Sequence, residues 1–261
     1  MSSLSLPLPL PRTLRRAAFG KVVLNEARLA WRRPVGLAGG VGIPVLLLVI
    51  FGELPVFQQP SASLGGLTPF DTYVPILAVF AIGMMALLGL PIPLVTYREL
   101  GILRRLSITP VPPSWMLAAQ GAVQLGVAVT GLLVIFVASI AAFGAPAPKS
   151  PGGLVISLAL SVAGLFPIGL MIAAIARSAN GASVIGRLMF FPLMFFAGLW
   201  LPRALMPTVL LDISNYTPLG AAVTAIQDSM LGGFPPAAPL LVLTAYAVVF
   251  GFLARRFFRW E

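Results

Sequence analysis

The chain has 261 residues, of which 59% are hydrophobic and 9% charged, with a formal net charge of +10. Because soluble domains carry about 25% charged residues, this composition indicates an integral membrane protein. Cysteine and histidine are absent, which excludes disulfide scaffolds, thiol chemistry, Cys/His metal sites and histidine acid–base catalysis. We expect neither a metal nor a cofactor, although a metal bound by carboxylates alone stays open.

Residues 1–33 are predicted to form a cytoplasmic tail and an amphipathic interfacial helix. Leu and Pro alternate over residues 4–11, which disfavours a helix. Basic and apolar residues mix over residues 12–33, which is typical of a helix lying on a membrane surface. This basic run is a poor match to a cleaved signal peptide, so we expect it in the mature chain. The helix could anchor topology only, or also pack against the central loop.

Residues 34–261 are predicted to form a six-helix transmembrane domain. Uncharged intervals mark the spans, because a helix needs about 20 apolar residues to cross the hydrocarbon core. The predicted spans are residues 36–52, 73–95, 115–143, 154–176, 188–201 and 237–254. The predicted fold class is therefore all-α, with several membrane-crossing helices.

The basic residues predict the orientation. With six spans both termini share one side, and of the 17 Lys and Arg residues only Lys149 and Arg203 fall on the other. We expect the protein in the inner or plasma membrane of the cell. The positive-inside rule then places both termini and the loop 97–113 in the cytoplasm. Since topology explains the charge, we expect no nucleic-acid partner.

Residues 202–235 are predicted to form a re-entrant helical hairpin on the outer side. This segment is too apolar for a solvated loop, yet Arg203, Asp212 and Asp228 interrupt it. Apolar pieces of this length are more often re-entrant or interfacial than spanning.

The predicted spans lack ionisable residues in their cores, and Glu53 and Asp71 fall at outer edges. An ion-coupled carrier usually places such residues near the midplane, so this class is disfavoured. A membrane enzyme is disfavoured too, because the few acidic residues are scattered. The chain has no G-x-x-x-x-G-K-[ST] loop, so an ATPase that drives transport would be a separate polypeptide.

The loop 97–113 is predicted to contain an amphipathic helix. On a helical wheel, Leu100, Ile102, Leu103 and Leu106 share one arc, and Arg98, Arg104 and Arg105 share the other. Glu99 falls in the apolar arc, where a carboxylate needs a cationic partner or a docking protein. A solvated positive-inside loop is the alternative.

These motifs resemble those of the membrane subunits of ABC type-2 exporters, including the daunorubicin-resistance type. The resemblance covers nearly the whole chain. It includes Arg98-Glu99-x-Gly101-x-x-Arg104-x-Leu106 followed by Thr109-Pro110, the Phe195–Pro202 segment, and Asn215-Tyr216-Thr217-Pro218-Leu219. The last segment departs from the usual Asn-Pro pair by an interposed Thr217.

The resemblance implies a permease subunit without an ATPase site of its own. Two copies of a cytoplasmic ATP-binding subunit, which bind ATP and Mg²⁺, would drive a permease dimer that exports hydrophobic compounds such as an antibiotic, a drug or a lipid. The dimer would be a homodimer or a close heterodimer in contact with membrane lipids. Export of a polysaccharide or lipid-linked glycan by the same family is the alternative. The resemblance assigns six residues to coupling with the ATPase: Arg98, Glu99, Gly101, Arg104, Arg105 and Leu106.

The resemblance also suggests a substrate path, because in similar proteins the second and fifth spans face each other across the dimer axis. These spans carry the residues Phe80, Met84, Met85, Phe190, Phe191, Met194 and Phe195. Flexible Met and flat aromatic side chains suit apolar or lipid-like cargo. Ordinary packing against lipid and neighbouring helices is the alternative.

Overall fold

The computed structural model describes residues 12–32, 38–64, 66–102 and 113–257, and these contain helices and no strand. The helices are α1 (Arg12–Arg32), α2 (Ile43–Glu53), α3 (Pro55–Gln58), α4 (Pro69–Met84), α5 (Pro91–Glu99), α6 (Pro113–Ala141), α7 (Pro151–Ile175), α8 (Ala179–Ala197), α9 (Thr208–Tyr216), α10 (Pro218–Gln227) and α11 (Ala237–Phe257).

Five helices among the described residues are long and apolar enough to cross a membrane: Pro69–Glu99, Trp115–Ala141, Pro151–Ile175, Ala179–Ala197 and Ala237–Phe257. The number of possible spans rises to six if α9 and the helix Pro218–Gly232, which meet at an angle of 95°, are counted together as one broken span. The all-α membrane fold is confirmed. The bend fits the helical hairpin expected at 202–235, and its insertion into the membrane stays a prediction.

Two predicted spans differ in length from their helices. The first is an apolar helix from Gly39 to Glu53, shorter than the about 20 residues that cross a bilayer. The fifth was expected to begin at residue 188, yet α8 begins at Ala179. Arg187 lies inside this helix and does not end it. Its guanidinium donates to the Ser183 hydroxyl, one turn earlier, at 2.6 Å. The long aliphatic part of its side chain also allows the charged group to stay exposed.

The helix Pro69–Glu99, called the central helix below, is the most buried of the membrane-length helices described. Thr68 caps it by accepting a hydrogen bond from the Asp71 N–H at 3.1 Å, while the Asp71 carboxylate accepts one from the Thr68 N–H at 3.2 Å. This reciprocal pair is a capping box, which satisfies free N–H groups of the first turn. Asp71 therefore stabilises the N-terminal end of the central helix.

A π-helical segment, Met85–Gly89, interrupts the central helix. Pro91 and Pro93 follow it and have no N–H groups, so the carbonyls of Leu87 and Gly89 lose their usual donors four residues later. The Leu90 N–H bonds the Met85 carbonyl at 2.8 Å instead, which closes the wider turn. The two prolines therefore lie directly after the change in helix type and leave two carbonyls of the π segment without their usual donors.

Neighbouring helices pack closely around this π segment. The Gln124 side-chain amide of α6 donates to the Gly89 carbonyl at 2.9 Å and so replaces the donor that Pro93 lacks. A methyl group added at Gly169 of α7 would overlap the Ala86 carbonyl oxygen, and one added at Gly186 of α8 would overlap that of Leu87. These glycines let α7 and α8 approach the central helix backbone closely.

The bundle has two distinguishable ends. Helices α7 and α11 run side by side in the same direction, because Gly153 packs near Pro235 and Gly164 packs near Leu243. The C-terminal end of α7, Arg98, and Arg255 and Arg256 at the end of α11 define what we call the basic end. The opposite end, called the far end, contains the hairpin and Arg203.

Candidate functional site

The candidate site begins where the central helix ends, at Glu99. The Leu100 N–H bonds the Thr96 carbonyl at 3.0 Å, and the Gly101 N–H bonds the Arg98 carbonyl at 3.0 Å. Gly101 has a φ of +66°, which is in the left-handed region that favours glycine. The chain therefore turns at Gly101, and Glu99 does not continue into a single helix with residue 102.

The single helical wheel drawn through this segment is wrong at its start, because the turn at Gly101 separates Arg98 and Glu99 from residue 102. Arg104, Arg105 and Leu106 lie outside the described residues. The ATPase-coupling role assigned to all six residues stays a prediction.

Arg98 binds the end of α7. Its guanidinium donates to the Ala173 carbonyl at 3.3 Å and to the Ala176 carbonyl. These carbonyls lie in the last turn of the helix, where no further N–H groups follow and where a cation is favourable to the helix dipole. Arg98 therefore fastens the central helix to the C-terminal end of α7.

Glu99 binds the start of α8. Its Oε2 accepts a hydrogen bond from the Ala179 N–H at 3.1 Å, and the Ser178 hydroxyl caps the same helix by accepting from the Gly181 N–H at 3.0 Å. A carboxylate at a helix N-terminus is favourable because the free N–H groups are partially positive. The Glu99 side chain is otherwise exposed. Its partner in this chain is a backbone N–H and not the cationic side chain that was expected, and contact with a docking protein stays a prediction.

Arg98 and Glu99 together hold the turn between α7 and α8 from both sides. Their opposite charges match the opposite partial charges of the two helix ends that meet there. Arg177, in the turn itself, is exposed. The end of the central helix is therefore bonded directly to both α7 and α8.

A third contact joins the same helix end to α1. The Tyr97 hydroxyl donates to Glu26 Oε2 at 2.8 Å, and both side chains are buried, with Glu26 only 3% exposed. Helix α1 also packs on α6, where the Phe19 and Trp115 rings meet edge to face with centroids 5.7 Å apart. Helix α1 therefore packs against the bundle and contacts the residue next to Arg98, and its position on the membrane surface stays a prediction.

Glu26 was missed by the sequence interpretation. A wheel of α1 places it between Phe19, Val22 and Leu29, and an acid among apolar residues in a basic segment is an informative exception. Tyr97 was treated as the start of a loop, although it belongs to α5.

The predicted substrate-path residues separate into two groups by burial. Phe80, Met85, Phe190 and Met194 are buried within the single chain, and the Phe80 and Phe190 rings meet edge to face at 5.2 Å. Phe191 is 53% exposed, while Met84 and Phe195 are half-buried. In the isolated chain the buried four pack in its core, and contact with cargo stays a prediction for all seven.

The far end contains a polar network that the sequence interpretation also missed. Arg203 donates to the Ser214 hydroxyl at 2.5 Å, to the Asn215 side-chain carbonyl at 2.6 Å and to the Gly220 carbonyl at 3.2 Å. Ser214 in turn donates to the Phe196 carbonyl. The network therefore connects the end of α8 to both helices of the hairpin.

Burial of the Arg203 guanidinium lowers its pKa, and the nearby Asp228 carboxylate opposes this change.

Thr217, the residue that departs from the Asn-Pro pair, caps α10. Its hydroxyl accepts a hydrogen bond from the Gly220 N–H at 3.1 Å. Pro218 then occupies the first helical position, where no N–H is needed. The interposed threonine is thus explained by helix capping.

Comparison with known proteins finds a family and a relative that are similar to this chain. The family described as ABC-2 type transporter matches residues 18–231. A protein of Bacillus subtilis (strain 168) named "Putative transport permease YvfS" is 26% identical over 193 residues, which cover 70% of this chain and 75% of that protein.

Proposed function

Since the chain belongs to the ABC-2 type transporter family and is the permease subunit of an ABC transporter, we propose that it exports hydrophobic compounds. The cargo would be an antibiotic, a drug or a lipid taken from the cytoplasm or the inner leaflet. The family implies an ATP-binding partner subunit, and we propose two copies of it, with both termini and the basic end cytoplasmic. The apolar spans and the excess of basic residues at one end support this orientation.

We propose that energy enters at the basic end through two sets of residues. Arg104, Arg105 and Leu106 would contact the ATP-binding subunit, with the arginines facing acidic groups. Arg98, Glu99 and Gly101 would position that segment and pass its movement to the bundle. Three hydrogen bonds carry this proposal: two from Arg98 to the end of α7 and one to Glu99 from the start of α8.

We propose that the permease acts as a dimer of this chain. Helix α8 exposes Val184, Leu188 and Phe191, with exposed fractions of 44%, 70% and 53%. Their spacing places them on one face of the helix. Such a face fits a second copy of the chain as well as it fits lipid, and cargo would pass next to it.

The proposed function is tested on the permease purified from native membranes together with its ATP-binding subunit and reconstituted into liposomes. Two quantities are measured, namely co-purification of the ATP-binding subunit and the efflux of a fluorescent hydrophobic compound per ATP hydrolysed. Arg104→Ala with Arg105→Ala is expected to reduce co-purification. Glu99→Ala is expected to leave co-purification intact and to lower efflux per ATP hydrolysed.

The matched control for Glu99→Ala is Asp212→Ala, which removes an exposed carboxylate at the far end. We expect it to change neither quantity. Equal effects of the two variants, or efflux without any ATP-binding subunit, would contradict the proposal.

A further inference from the structure

An apolar groove lies between the interfacial helix α1 and the membrane helix α6. It encloses about 520 Å³, within the range of about 300–1,000 Å³ typical of ligand sites. Its walls are Val23, Ala27 and Trp31 on α1, Val41 before α2, and Val123 and Gly126 on α6, among others. One wall of the groove is therefore helix α1, and another is the membrane-length helix α6.

The walls of the groove are mainly apolar. The lining residues with polar side-chain atoms are Thr130, whose hydroxyl donates to the Gly126 carbonyl at 2.9 Å, and Trp31, whose exposed ring carries an indole N–H. Recognition inside the groove thus depends mainly on apolar burial, which suits a hydrocarbon chain better than a polar compound. Nothing lies within 4 Å of the position that a Cβ at Gly126 would take, so the absent side chain leaves this space open.

The groove has a cationic rim at Arg28, which is three residues before the lining residue Trp31 and hence next to it on the helix surface. Lys21 and Arg32 are also exposed, on the face of α1 that continues from Arg28 away from the groove. Glu26, the acidic residue of α1, is buried and accepts a hydrogen bond from the Tyr97 hydroxyl. Trp31 is 80% exposed, as suits a ring at the membrane–water interface.

We propose that this groove binds one acyl chain of an anionic phospholipid, with the headgroup at the cationic rim of α1. The lipid comes from the leaflet in which α1 lies. It fills the space between α1 and α6, next to the contact that joins α1 to the central helix. This site is separate from any cargo path along the central helix and α8, and it does not depend on the identity of the cargo.

The test uses the purified full-length chain and phosphatidylglycerol with a photoreactive diazirine in its acyl chain, compared with phosphatidylcholine carrying the same group. Cross-linked peptides are identified by mass spectrometry. We expect adducts on α1 and α6 and stronger labelling by phosphatidylglycerol. Gly126→Leu should reduce this labelling about tenfold or more, because burial of only about two methylene groups corresponds to a tenfold change in affinity.

Gly121→Leu is the matched control, since Gly121 lies on α6, has open space at its Cβ and does not line the groove. It should retain full labelling. Ala122→Leu, which also fills the groove, is a second test if Gly126→Leu lowers the folded fraction. Arg28→Gln with Arg32→Gln should remove the preference for phosphatidylglycerol.

Three results would overturn the proposal. The first is equal labelling of the Gly126→Leu and Gly121→Leu variants. The second is a wild-type protein without preference for the anionic lipid. The third is a cross-link from the groove to a second copy of the chain in place of lipid.

Discussion

Tyr97 and Glu26 are 71 residues apart in the chain, and the hydroxyl of Tyr97 donates to the buried carboxylate of Glu26 at 2.8 Å. This bond connects helix α1 to the last turn of the central helix. The next two residues, Arg98 and Glu99, bind the end of α7 and the start of α8. Three consecutive side chains therefore join one helix end to three other elements.

Replacing Tyr97 by Phe removes one donor from a buried carboxylate. Loss of a partner in such a site costs about 1–3 kcal/mol, so we expect Tyr97→Phe to lower the thermal unfolding temperature in detergent. The control is Tyr246→Phe, whose hydroxyl donates to the Tyr216 carbonyl at 3.2 Å at an exposed position. A larger loss in the control than in Tyr97→Phe would contradict this role for the Tyr97–Glu26 bond.

Replacing Gly169 by Ala places a methyl group against the Ala86 carbonyl. Overpacking of a tight core costs about 1–3 kcal/mol, so Gly169→Ala should lower the unfolding temperature and the yield of folded protein. Gly251→Ala is the control, because its Cβ would meet open space in α11. A helical Gly→Ala change is otherwise stabilising by about 1 kcal/mol, and stabilisation by both variants would refute the close approach.

Gln124 and Pro93 are expected to be coupled in a double-mutant cycle. Gln124→Leu removes the donor to the Gly89 carbonyl and should cost about 1–3 kcal/mol. Pro93→Ala restores an N–H four residues after Gly89, so Gln124→Leu should cost less in that background. The measurement is the unfolding free energy of all four proteins, and additive effects would show that Gln124 does not replace the donor that Pro93 lacks.

Arg203→Lys keeps the charge and loses the fork that reaches Ser214, Asn215 and Gly220. Hydrogen bonds to charged groups contribute about 1.5–3 kcal/mol each, so amide hydrogen exchange over residues 208–232 should accelerate. Arg255→Lys, at an exposed position of the basic end, should leave the exchange unchanged. Unaltered exchange in Arg203→Lys would show that the network does not hold the hairpin.

The fold class could be predicted from the sequence because charge-free intervals are long and membrane helices need them. Boundaries were predicted less well where a charged side chain lies inside a helix. Arg187 made α8 look short, because composition does not reveal that its guanidinium bonds Ser183. The π segment was not predicted either, since prolines indicate a kink without specifying its geometry.

The contacts of Arg98 and Glu99 could be predicted only in part. The cluster at Arg98 and Glu99 was recognised from charge, yet the partners of both residues are backbone groups of α7 and α8, more than 70 residues away. Backbone partners have no sequence signature, so the wheel assigned Glu99 to a helix that the Gly101 turn interrupts. Arg203 was noted as an exception to the charge bias, but its three acceptors depend on how the hairpin folds.

The most direct test of the account uses cysteine cross-linking, because the sequence contains no cysteine and each introduced thiol is unique. Leu100→Cys and Val209→Cys have matched exposure, with wild-type side chains 61% and 68% exposed at the basic and far ends. If energy enters at the basic end, a thiol-specific photocross-linker at Leu100→Cys captures the ATP-binding subunit and one at Val209→Cys does not. Capture from Val209→Cys, or from neither position in a complex that hydrolyses ATP, would contradict it.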